Sequence, residues 1–239
     1  MEIYMRNEDK ITPITGQNYE YKQTAAQSQS LLATHSVLRN TYMLLSLTLL
    51  FSSGTAWLAM ATNAAPMNPL FMILLMFGLL FGVQATKNSS LGLLMVFLFT
   101  GFMGYTLGPL LNAIIHGYKN GGAIIFNTLA ITGATFLGLS AYALISRKNF
   151  SFLGNFLFVG LIVMIVASLA NLFLHLPAMQ LAIASGSAFI AALLILFDTS
   201  RIIHNGETNY ISATVQLYLD IYLLFINLLQ LFTAFSGRD

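Results

Sequence analysis

Seven apolar stretches, each close to the length needed to cross a bilayer, divide the chain from residue 41 onward, and each ends in polar, proline or glycine punctuation. A transmembrane helix needs about 20 mostly apolar residues to cross a hydrocarbon core of roughly 30 Å. The stretches that meet this test are 41–61, 69–85, 91–115, 123–145, 156–174, 179–197 and 211–235. They are closed in turn by an uncharged loop with Pro66, by Lys87-Asn88-Ser89, by His116-Gly117-Tyr118-Lys119, by Ser146-Arg147-Lys148-Asn149, by His175 and Pro177, by Asp198-Thr199-Ser200-Arg201, and by Ser236-Gly237. Only 8% of the chain is charged, against about a quarter in an ordinary soluble domain. The pattern therefore predicts an all-α integral membrane protein, a seven-transmembrane-helix bundle whose main partner is the lipid bilayer.

Residues 1–30 read differently. They are polar, of mixed charge, and lack the apolar core of a signal peptide. The expected organisation is a polar cytoplasmic tail over 1–30 and a membrane domain over 31–239. Orientation follows from the basic residues, which favour the cytoplasmic side. With the N-terminus inside, Arg6, Lys10, Lys22, Arg39, Lys87, Arg147, Lys148 and Arg201 are cytoplasmic, and only Lys119 and Arg238 lie outside. An odd number of spans then puts the C-terminus on the far side.

Several function classes fall away. A net charge of +2 without a basic patch gives nucleic acid nothing to bind. The absence of cysteine removes thiolate chemistry, and the four histidines are scattered with no pair at metal-binding spacing. Gly138-Leu139-Ser140-Ala141 is similar to an intramembrane serine-protease motif but lacks its final glycine and any intramembrane histidine base. Two aspartates on consecutive spans suggest an intramembrane aspartyl protease. The Gly-x-Gly-Asp which that chemistry requires is replaced here by Leu217-Tyr218-Leu219-Asp220. No enzyme, cofactor or metal is expected.

Asp198 and Asp220 are the acids that solvation does not explain. Asp220 stands about nine residues into the last span, roughly 14 Å deep at ~1.5 Å per residue. Such groups face the bundle interior, pair, and mark ion or proton paths. Asp198 closes the sixth span at the same end. It is either a solvated helix end or, if that helix runs further, a partner for Asp220 that shares its proton and titrates with it. The small residues Gly78/Gly82, Gly104/Gly108 and Ser185-Gly186-Ser187 mark close helix approach, within one bundle or between two copies. Pro109 should kink or end the third helix.

The run Leu217-Tyr218-Leu219-Asp220-Ile221-Tyr222-Leu223-Leu224-Phe225-Ile226-Asn227 resembles the last helix of the Bax inhibitor-1, or transmembrane Bax-inhibitor-motif, family. Further matches are Thr34-His35-Ser36-Val37-Leu38-Arg39-Asn40-Thr41-Tyr42, Thr100-Gly101-Phe102-Met103-Gly104-Tyr105, Leu107-Gly108-Pro109, Arg147-Lys148-Asn149-Phe150-Ser151-Phe152-Leu153-Gly154 and Ile202-Ile203-His204-Asn205-Gly206-Glu207-Thr208-Asn209. The resemblance implies a seven-helix bundle with the last helix central and surrounded by the other six. It also implies a di-aspartyl pH sensor and ion path at Asp198 and Asp220, linked to a leak of calcium ions or protons, with Lys87 nearest to the basic latch of some members. The bacterial branch it falls in implies the bacterial inner membrane, and as partner a membrane-anchored AAA protease of the FtsH type.

Overall fold

The computed structural model describes residues 16–204 and 206–237, with side chains from residue 36. All seven predicted spans are helices: α1 (Gly16–Ala61), α2 (Pro69–Thr86), α3 (Leu91–Gly117), α4 (Gly121–Ser146), α5 (Leu153–Leu174), α6 (Pro177–Ile203) and α7 (Tyr210–Phe235). Each is long and apolar enough to cross a membrane, α1 through its segment Ser36–Ala61. Residues 1–15, the first part of the polar segment expected at 1–30, and Arg238 lie outside the described residues, and α1 begins at Gly16.

Local chemistry sets several ends. Asn68 caps α2, accepting from the Leu70 amide at 2.9 Å, with Pro69 in the first turn where its missing N–H costs nothing. Asn209 caps α7 by accepting from Ile211 and Ser212 at 2.9 and 3.1 Å. Its amide nitrogen donates to the Lys87 carbonyl and to Asn88 Oδ1. One side chain thus fixes the start of α7 against the turn between α2 and α3. Pro109 does not end α3, which runs on through it to Gly117.

Helix α7 is the centre of the bundle, packed most extensively against α6 and then against α1, α4, α3 and α2. Small residues at its start let neighbours come close. Ser212, Ala213 and Thr214 are all buried, and the Thr214 hydroxyl lies 3.3 Å from the Thr41 carbonyl of α1. Further along, Tyr218, only 1% exposed, accepts from or donates to Ser52 of α1 at 2.7 Å and donates to the Thr100 carbonyl of α3 at 3.2 Å. Its ring stands edge-on to Phe99. Such interhelical bonds contribute on the order of 0.6 kcal/mol each in a membrane, so packing around α7 carries most of the cohesion.

One neighbour expected from the resemblance does not pack on α7. Among the described residues α5 leans on α6 alone, and only Leu157 of its side chains is buried. It faces α7 across a groove of about 790 Å³ whose walls include Met164, Leu172, Gln180, Asn227 and Gln230. The small-residue pairs also divide. Gly104 and Gly108 of α3 press against Ser52, Ala56 and Ala59 of α1, and Gly186 of α6 meets Met164 of α5. Gly78, in contrast, has nothing within 4 Å of where a Cβ would stand. The α3 pair is thus an intramolecular seam.

Candidate functional site

The site is built where α6 and α7 run side by side. The helix of Asp198 does not stop there. It continues through Thr199, Ser200 and Arg201 to Ile203, so Asp198 is an interior residue, 7% exposed, rather than a solvated helix end. Asp220 on α7 is 5% exposed. The two carboxyl groups are neighbours across the contact between α6 and α7, a proximity that required a longer sixth helix.

A hydrogen bond between two carboxyl groups needs a proton on one of them. Arg201, one turn further along α6, donates through Nη1 to Asp198 Oδ1 at 3.2 Å. The guanidinium also stacks over Phe197, 5.5 Å from the ring centre. Glu207, in the loop between α6 and α7, accepts from the Asn209 amide at 2.9 Å. Oδ2 of Asp220 is buried with no hydrogen-bond partner. An orphaned buried carboxyl oxygen is rare and costs free energy.

Arg201 was legible only in part. It reads as a cytoplasmic loop charge, yet its three-residue spacing from Asp198 on a helix is the signal that would have paired them. Lys87, nearest to the expected latch, instead contributes its backbone carbonyl to Asn209.

The polar residues around the pair brace it. Thr199 lies 3.4–3.5 Å from the hydroxyls of Ser140 on α4 and Tyr42 on α1. Ser140, the centre of the serine-protease-like motif, is therefore engaged in packing. Ser200 accepts from the Phe150 amide at 3.0 Å and donates to the Lys148 carbonyl at 3.2 Å. His204 places one ring nitrogen 2.8 Å from the Ser200 carbonyl and the other 3.2 Å from that of Arg147. Together they fasten the loop between α4 and α5 to the end of α6. The Ser200/His204 spacing, one helical turn, was the available signal.

Comparison with known proteins extends over nearly the whole chain. Residues 34–237 match the family described as Inhibitor of apoptosis-promoting Bax1. The chain is 45% identical over 210 residues to the Modulator of FtsH protease YccA of Escherichia coli K12, covering 88% of this chain and 94% of that protein. An Escherichia coli O6:H1 counterpart with the same identity and coverage is named Inner membrane protein YccA. A membrane protein of Vibrio cholerae is 48% identical over 209 residues, 87% of this chain and 93% of the other.

Proposed function

The chain belongs to the family of inhibitors of apoptosis-promoting Bax1, and on that footing we propose that it is a multi-pass bacterial inner-membrane protein that binds and modulates the membrane-anchored AAA protease FtsH. The observation that carries this reading is end-to-end similarity to a protein named for that role. The excess of basic residues supports a cytoplasmic N-terminus and a C-terminus on the far side. The polar segment 1–30 is then on the cytoplasmic face, in reach of the cytoplasmic part of a membrane-anchored AAA protease. Helices α2 and α5, with one buried side chain each, leave broad lateral faces for a neighbour in the membrane. The test is co-purification of the full-length protein with FtsH in mild detergent, together with longer lifetimes of FtsH membrane substrates on overproduction. Absence of both overturns the reading.

A second reading rests on the aspartates. Asp198 and Asp220 form a pH sensor on a cation path, one that leaks calcium ions or protons. The contact itself supports this: two buried carboxyls that hold together only while they share a proton. Loss of that proton leaves two neighbouring anions, opposed by Arg201. The two readings are compatible within one protein.

A further inference from the structure

The groove between α5 and α7, floored by α6, carries polar groups at two depths. Asn171, Gln180 and Gln230 line it near the end of α5, the start of α6 and the end of α7. Ser187 and Asn227 line it deeper, about 15 Å from the start of α6 and about 12 Å from the end of α7 at ~1.5 Å per residue. The groove therefore reaches the middle of a hydrocarbon core roughly 30 Å thick.

The two deep side chains are nearly buried, Ser187 at 9% and Asn227 at 7% exposed, yet each keeps an oxygen free. Asn227 donates its amide nitrogen to the Leu223 carbonyl at 2.7 Å, and its Oδ1 stays unbonded. Nearby serines return their hydroxyls to the preceding turn, Ser168 to the Met164 carbonyl at 2.7 Å and Ser185 to the Leu181 carbonyl at 2.8 Å. Ser187 makes no such bond. Neither oxygen is sealed off, because the sealed, partnerless side-chain atoms among the described residues belong to Thr41, Thr132, Ser212 and Asp220.

These groups decide what fills the groove. Hydrocarbon hydrogen-bonds to none of them, and a polar group left bare in it is costly. An acyl chain would strand four carboxamides and a hydroxyl together, whereas water satisfies them all. The volume of about 790 Å³ is far above the ~30 Å³ share of one water, and the lining supplies the two to four polar partners that a resident water needs. No carboxylate, lysine or arginine lines it among the described residues, so a cation entering with its water is not held there.

The groove also points at the aspartates. Asp220, Leu223, Asn227 and Gln230 recur at intervals of three, four and three residues along one face of α7. On α6, Gln180 and Ser187 share a face, and Asp198 returns to it about three turns beyond Ser187. Leu223 is the groove-lining residue nearest to Asp220 along α7. We propose that the groove is a water-filled half-channel for small cations, open at the α5–α6 turn, with Leu223 as the apolar barrier between its water and Asp220. That its closed end serves Asp220 rests on the second reading above; its hydration does not.

The chain has no cysteine, so a single introduced thiol reports water directly. Ser187→Cys, nearly isosteric, and Asn227→Cys are prepared in the full chain in phosphatidylethanolamine/phosphatidylglycerol nanodiscs and treated with the charged reagent trimethylammonium-ethyl methanethiosulfonate. Val166→Cys is the reference. Val166 is 59% exposed, lies outside the groove lining and, like Asn227, stands eight residues before the end of its helix (166 to 174, and 227 to 235). Reagent and thiolate both need water, so positions 187 and 227 should react faster than 166 by on the order of tenfold or more. Rates equal to that of Val166→Cys would mean that lipid or another helix fills the groove, and overturn the proposal. In proteoliposomes, Leu223→Ser should raise calcium flux several-fold, with Leu223→Ala as the milder variant if the serine impairs folding. Fast labelling with flux unchanged in both overturns the barrier at Leu223. Fast labelling with a raised flux that ignores pH counts for the half-channel and against the sensor, so the two readings fail separately.

Discussion

Gly78 and Gly104 stand in similar sequence surroundings, yet replacing each by alanine should move stability in opposite directions. A methyl at 104 would fall on the Ser52 carbonyl oxygen and Thr55 Oγ1, with Ser52 Oγ at 2.6 Å. To reach ordinary van der Waals distance, α1 must retreat by on the order of 1 Å, and a gap of that size forfeits a quarter to a half of each dispersion contact along the seam. The seam is the most extensive helix pair in the molecule. Overpacking of this kind costs about 1–3 kcal/mol, offset by the ~0.5–1 kcal/mol that alanine gains over glycine within a helix. The net expectation for Gly104→Ala is a loss of about 1–2 kcal/mol. Gly78→Ala meets empty space and keeps only the gain of ~0.5–1 kcal/mol. The two variants should therefore differ by about 2–3 kcal/mol in unfolding by dodecyl sulfate in mixed dodecylmaltoside micelles, followed by far-ultraviolet circular dichroism. If the two variants unfold at the same detergent fraction, or Gly78→Ala is the less stable, the α1–α3 seam is not where the bundle is tightest.

Three other outcomes are expected. Calcium flux into proteoliposomes should rise with pH as the shared proton leaves the aspartate pair, and Asp220→Asn, which hydrogen-bonds without ionising, should flatten that profile; a flux that falls with rising pH, or a profile unchanged in the variant, would falsify the sensor. A C-terminal alkaline-phosphatase fusion should be active and a C-terminal green fluorescent protein dark, and bright fluorescence there would require an even number of crossings. Ser200→Ala removes two of the bonds that hold the α4–α5 loop, leaving that of His204 to the Arg147 carbonyl, so amide exchange at Phe150 should accelerate about fivefold for each ~1 kcal/mol lost. Unchanged protection would place the loop's anchor in His204 alone.

The helices were legible because hydropathy and length are sufficient to specify a span, and six of the seven C-terminal ends fall within two residues of where punctuation put them. The end of α6 was not, for a definite reason. Asp198, Thr199, Ser200 and Arg201 look like a polar exit from the membrane, but each is matched by a group from another helix, a loop or the next turn. Thr199 meets Tyr42 and Ser140, Ser200 meets Lys148 and Phe150, and Asp198 meets Asp220 and Arg201. Partners distant in sequence turn a polar run into helix interior, and hydropathy has no access to them. Equally, Gly78/Gly82 and Gly104/Gly108 share a spacing, and only the placement of α1 tells a seam from a bare surface.

Helix α5 is held by protein on one side only, so lipid forms its other wall. The loop before its first turn is fastened at the Ser200–His204 clamp, close to Asp198, while its last turn ends at His175, a left-handed residue leading into α6. The one polar tie of that helix's start to the bundle runs through the α4–α5 loop to Ser200 and His204, on the same helix that carries Asp198.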